Sequence, residues 1–182
     1  MHKQLPIIII ILLFCEASFG QYKNLQQFIP KNFTILDSAS GDLNKDGFRD
    51  LILILRSDFE KDSPDTTRPL LILEGNANGQ YKLVARNDSV VLCKECGGIF
   101  GDPYNHITVK GSYFSIEHMG GSAWRWTRII TFKFDAKTNQ FILHRDEGES
   151  WHTSNPNKTK ESLIDKQNFD KLPFEKYTNN KE

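Results

Sequence analysis

Cysteine is scarce in this 182-residue chain: Cys15 sits in an N-terminal apolar run, leaving only Cys93 and Cys96 further on. Two cysteines cannot staple a disulfide-rich scaffold, so the domain must rest on an apolar core. An excess of one charge is also lacking, because 23 Lys and Arg meet 23 Asp and Glu. Loss of the first twenty residues would remove Lys3 and Glu16 together and keep the balance. Without a basic footprint, neither nucleic acid nor an anionic membrane surface is an expected partner. Long apolar runs are missing after residue 15, and Pro6–Cys15 is itself too short to span a bilayer. Absent too are a Gly-x-Ser-x-Gly elbow, a phosphate loop, a dinucleotide fingerprint and a His-Glu-x-x-His motif. Each absence removes a class of enzyme.

What is present begins with an export signal. His2 and Lys3 precede the apolar run, and Ser18-Phe19-Gly20 places small residues at −3 and −1, so cleavage before Gln21 is expected. The expected location is periplasmic or secreted. The alternative is a lipid anchor at Cys15 within Leu12-Leu-Phe-Cys15, and an uncleaved anchor is a third option. In an exported protein Cys93 and Cys96 read first as a short disulfide that fixes the turn before Gly97-Gly98. A redox thiol pair would want a helix start, which Gly97, Gly98 and Asp102-Pro103 disfavour. A zinc site would want a second Cys/His pair.

Residues 41–50, Gly-Asp-Leu-Asn-Lys-Asp-Gly-Phe-Arg-Asp, state their chemistry most plainly. Asp42, Asn44 and Asp46 put oxygen-bearing side chains at positions 1, 3 and 5 of a loop. Gly47 follows where a sharp turn wants no Cβ, Phe48 offers a backbone carbonyl, and Asp50 closes the set. Hard oxygens at alternate positions suit Ca²⁺. A helix–loop–helix hand would carry Glu at position 12, which is Leu53 here, and Leu51–Leu55 reads as a strand. The loop therefore resembles the shorter calcium loops of FG-GAP, integrin-type propellers, and of dockerin-like repeats, with the strand exit favouring the former. That resemblance, confined to about residues 41–52, implies a calcium-bound strand–loop–strand and a role in contacts outside the cell. An ion-free hairpin turn is the bland alternative. Stretches such as Arg68-Pro-Leu-Leu-Ile-Leu, Leu92-Cys-Lys-Glu-Cys-Gly-Gly and Trp124-Arg-Trp-Thr-Arg also resemble a group of uncharacterised exported bacterial proteins, which brings no activity with it.

The rest of the chain reads as strands and turns. Tyr22–Phe28 predicts a short helix, Phe33–Leu36 a strand, and Leu51–Leu55 and Pro69–Leu73 buried strands. Arg56–Arg68 reads as a mobile charged loop. Turn residues at Asn76–Gly79, Lys110–Ser112 and Ala136–Asn139 mark hairpins, with Trp124–Asp135 the longest strand. Lys158–Leu172 reads as a surface helix with a frayed tail behind it. The calcium loop does not recur, so a propeller of several loop-bearing blades is not expected. The expected fold is mainly β: a single antiparallel β-rich domain, sandwich or partial-propeller-like, of roughly seven to nine strands with short terminal helices. Residues 1–20 would be the signal, 21–155 the calcium-loop domain and 156–182 a polar extension.

Two further clusters bear on function. Trp124, Trp126, Arg128, Ile130, Phe132 and Phe134 alternate with Arg125, Thr127 and Ile129, so the first set predicts a core face with Arg128 at its margin. Trp124 and Trp126, with Arg125 and Trp151 nearby, could instead form an exposed aromatic platform for a glycan or protein ligand. His118 or His144 beside a carboxylate would support a small envelope hydrolase. The favoured expectation is an exported, non-catalytic, calcium-stabilised β-domain that binds a glycan or a protein. A hydrolase and a purely structural envelope protein are the alternatives.

Overall fold

Leu51–Leu55 is apolar throughout because both faces of its strand, β2 (Asp50–Ser57), are covered. Ile52 and Ile54 join the main core, whereas Leu51, Leu53 and Leu55 join a smaller cluster under Leu25, Phe28 and Ile29. The computed structural model describes residues 25–63, 66–165 and 171–179. The export signal at 1–20, cleavage before Gln21 and lipidation at Cys15 lie outside the described residues.

β2 pairs with β1 (Phe33–Gly41) and β3 (Arg68–Gly75), and β3 pairs with β4 (Tyr81–Val91), giving an antiparallel four-stranded sheet. A second antiparallel sheet runs β5 (Tyr104–Lys110), β6 (Tyr113–Gly121), β7 (Trp124–Asp135), β8 (Gln140–His152) and β9 (Asn155–Asp165). The expected mainly β architecture therefore forms, as two sheets with no closed barrel. Ile52, Ile54, Leu70 and Ile72 of the first sheet share one core with Phe114, Ile116, Ile130 and Phe132 of the second. Burial contributes roughly 1.5–3 kcal/mol for each such side chain, so the sheets are what hold the fold. At one side of the sandwich Tyr104 on β5 donates its hydroxyl to Asp37 Oδ2 on β1 at 2.7 Å.

Several expectations are corrected. The surface helix expected over 158–172 is instead, as far as residue 165, strand β9. Its backbone pairs with β8, from Arg145↔Asp165 to His152↔Asn155, so residues 155–165 belong to the second sheet. The tail is not frayed over 171–179: Phe174 and Tyr177 enter the core, and Asn87 donates to both of their carbonyls at 2.6 and 2.8 Å. The charged loop after β2 is not merely a surface excursion, because Glu60 within it is buried against Arg68. The N-terminal helix is a single 3-10 turn at Gln26–Phe28, with residues 22–24 outside the described set.

Candidate functional site

Asp42–Arg49 connects β1 to β2. Lys45 and Gly47 hold left-handed φ values of 64° and 89°. Gly47 N–H donates to Asp42 Oδ2 at 3.1 Å, Asp46 N–H to Asn44 Oδ1 at 3.0 Å, and Phe48 N–H to Asp46 Oδ1 at 2.8 Å. Short Asp and Asn side chains thus coil the loop by bonding its own backbone. The Phe48 ring is exposed, so only its carbonyl fits the role predicted for it.

Asp50 takes a different role from the one its spacing suggests. It is 2% exposed. Its Oδ2 accepts from the N–H groups of Leu43 and Asn44 at 2.8 and 3.4 Å, and its Oδ1 from Gly75 N–H at 3.1 Å. Burial raises its carboxyl pKa, and these backbone bonds oppose the rise. Gly75 is required for the approach: an added Cβ would sit 2.1 Å from the Arg49 carbonyl oxygen. Asp50 therefore braces the loop against the end of β3. The predicted gathering of Asp42, Asp46 and Asp50 about one centre does not occur. Among the described residues no three His, Cys, Asp or Glu side chains come together as a metal cage.

The loop keeps one unpaired carboxylate oxygen. Asp42 Oδ1 is sealed from solvent and has no hydrogen-bond partner. A buried carboxylate oxygen left unpaired is costly, which asks for a positive partner. Asn44 Nδ2 donates both to Asp46 Oδ2 at 2.9 Å and to Glu74 Oε1 at 2.6 Å, so a partially positive amide lies between two carboxylates. Glu74, on β3 thirty residues away, is a neighbour that spacing within the loop could not reveal.

The aromatic residues near Trp124 divide between two faces of the second sheet. Trp126 continues the core face of Arg128, Ile130 and Phe132 and is half-buried, packed over Gly120. Trp124 is exposed, with its ring 5.2 Å from that of His152 and the Lys160 ammonium 5.1 Å above it. Arg125 lies on the opposite face, stacked 3.8 Å from the centre of the Phe100 ring and paired in register with Trp151. The expected set of Trp124, Trp126 and Arg125 is therefore not one surface. A hollow of about 330 Å³ opens instead between Phe100, Met119, Arg125, Trp151 and Pro156. Phe100 reaches it from a Gly-rich loop, whose only sequence signal is the apolar pair Ile99-Phe100 outside any strand. The Cys93–Cys96 disulfide precedes that loop. Gly121 N–H donates to the Gly97 carbonyl at 2.8 Å, which docks the loop on β6.

His118 does not form the carboxylate dyad of the hydrolase alternative. His118 is 2% exposed, and its Nε2 accepts from Leu92 N–H at 3.3 Å. Its neighbour Asp146 is engaged by both Nε and Nη2 of Arg128, at 2.7 and 2.5 Å, and by the Tyr177 hydroxyl at 2.8 Å. Burial, with Arg128 and Arg68 close by, depresses the His118 pKa to about 4. It is a neutral core imidazole. His144 lies against Tyr113 on β6, ring centres 5.1 Å apart. A His–carboxylate contact does exist at His106 Nε2 and Glu117 Oε1, 3.2 Å apart, on an open strand face. Comparison of the chain with protein-family models, curated proteins and solved structures found no match.

Proposed function

We propose that this chain is an exported, calcium-stabilised β-sandwich that works by binding, and that a protein ligand docks at the Phe100–Trp151 end. In this reading Asp42, Asn44, Asp46 and the Phe48 carbonyl hold Ca²⁺ while Asp50 braces the loop. Bound calcium would supply positive charge that neutralises the clustered carboxylates. The observation that carries the binding reading is the apolar end itself, where the exposed Phe100 and Met119 line the hollow with Arg125 and Trp151. Apolar side chains grouped this way are unusual on a lone domain. Phe, Trp, Met and Arg are also the types enriched at protein interfaces, whereas Met119 offers nothing to sugar hydroxyls. The interior position of His118 counts against the hydrolase alternative.

Site-specific photocrosslinking in the producing cell tests the docking. A crosslinker at Met119 is expected to give one discrete protein adduct, and one at the exposed Leu83 of the other sheet none. Phe100→Ala should weaken that adduct strongly, since truncating a central aromatic anchor costs about 2 kcal/mol or more. Equal labelling from both positions would overturn the assignment. A glycan-array signal abolished by Trp124→Ala, with no protein adduct, would transfer the end to a carbohydrate.

A further inference from the structure

The hollow at Phe100 is marked by charge as well as by apolar walls. We infer that it takes a partner segment in which an apolar anchor stands between an acidic and a basic side chain; this rests on the docking reading above. Arg125 supplies the first mark. It is half-buried in the hollow beside Met119, Trp151 and Pro156, with its guanidinium stacked 3.8 Å from the centre of the Phe100 ring. Among the described residues no carboxylate pairs with it and its side-chain N–H groups meet no acceptor. Phe100 covers one face of the guanidinium and leaves the edge that carries the N–H groups open. That planar fork of donors matches a carboxylate.

The second mark lies on the same face of the sheet. Arg125 is opposite Trp151, and two residues along Thr127 is opposite Glu149, a step of about 7 Å. Glu149 in turn stands directly opposite Glu161 on β9, and both line a second hollow of about 350 Å³. Like charges so placed repel, and the nearby Arg145 is held by Glu147 at 3.1 Å instead. Glu149 is the diagonal neighbour of Arg125, close enough for a long side chain, yet the guanidinium turns to Phe100. Opposite charges therefore stand apart and unpaired across the rim of an apolar hollow. A purely apolar segment would desolvate Arg125 and give it nothing in return. A segment carrying an acid for Arg125 and a base for Glu149 and Glu161 satisfies both while seating its anchor by Phe100.

Panning a random dodecapeptide phage library on the exported chain tests this, with the Phe100→Ala chain as counter-screen so that only clones bound at the hollow are kept. Those clones are expected to share an aromatic or branched apolar residue with Asp or Glu on one side and Lys or Arg on the other. Made as a synthetic peptide, such a clone should bind Arg125→Gln about tenfold more weakly, because the pair it loses is half-buried. Glu149→Gln combined with Glu161→Gln should cost only about two- to fivefold, since exposed pairs are weak. Arg125→Lys should recover part of the affinity, which separates a lost charge from a disturbed Phe100 loop. Parent-like binding of the peptide by Arg125→Gln, or by the double Gln variant, would overturn this inference and leave the docking end standing. Absence of any clone that depends on Phe100 would overturn it too, and absence of the Met119 adduct as well would overturn the docking reading with it.

Discussion

Replacing Arg68 by Met is expected to destabilise the folded chain by about 3–5 kcal/mol in a denaturant titration. Arg68 is fully buried at the start of β3. Its Nε donates to Glu60 Oε1 at 2.5 Å, and Nη1 and Nη2 donate to the two oxygens of Asp102 at 2.7 and 2.6 Å. Burial alone would lower the guanidinium pKa, but the bonds to Asp102 and Glu60 more than offset it, and the net shift is upward. Burial, the largest single effect, pushes the Asp102 carboxyl pKa up, but its bonds from Arg68 and from Tyr104 N–H together hold it below the usual carboxylate range. Methionine fills similar space but strands the Glu60 carboxylate in the interior, and desolvation of that lone charge sets the size of the loss. Glu60→Gln combined with Arg68→Met should therefore recover at least about 1 kcal/mol of the single-mutant loss. A loss below about 1 kcal/mol in Arg68→Met would show that water reaches Glu60 freely and that the pair is a surface one.

Acidification should remove about 3 kcal/mol of stability through His118 alone, given about 1.4 kcal/mol for each pH unit between its two pKa values. In the folded chain its pKa is about 4, against an ordinary value of 6.5. Between those values the unfolded chain binds the extra proton and the folded chain does not, so stability falls as pH falls. The contribution is complete above pH 6.5 and is lost on approach to pH 4. The ring sits among Arg128, Arg68, Asp102 and Asp146, with Tyr104 edge-on at 6.3 Å, and the two guanidiniums make a third positive charge unwelcome. Urea titrations at several pH values should show this slope, and His118→Gln should flatten it between pH 6.5 and 4. An unchanged slope in the variant would mean that carboxylates alone govern acid unfolding.

The sheets were legible where periodicity was strong. Leu51–Leu55 and Pro69–Leu73 announced strands covered on both faces, and Asn76–Gly79 and Ala136–Asn139 marked the β3–β4 and β7–β8 hairpins. β9 was hidden because Lys158, Thr159, Lys160 and Glu161 alternate no apolar side chains; that strand is held by backbone pairing with β8. Phe174 and Tyr177 gave no periodic signal, being single aromatics among polar residues, yet they close the core. Partners distant in sequence were equally hidden. Arg68 meets Asp102 across 34 residues, and Asn44 meets Glu74 across 30. Asp50 shows the limit of spacing most sharply. A carboxylate at that position serves equally as a ligand or as an acceptor for backbone N–H groups, and Gly75 N–H decides for the second. The alternation of Trp124–Phe134 holds for the core at Ile130 and Phe132, whereas Trp124 is exposed and Arg128, expected at the margin, is buried; the hollow by Arg125 depended on Phe100, brought in by the loop that follows the disulfide.

Thermal unfolding of the exported chain in chelator and in Ca²⁺ tests the cation loop most directly. At roughly one hundred times the dissociation constant, a ligand that binds only the folded state adds about 2.7 kcal/mol. For a domain of this size that raises the melting temperature by roughly 8 °C. The chain should remain folded in chelator, because its two sheets share a core that needs no ion, and Asp46→Ala should abolish the shift. Superimposable melting curves with and without Ca²⁺ would contradict the account and leave Asp42–Asp50 as an ion-free turn.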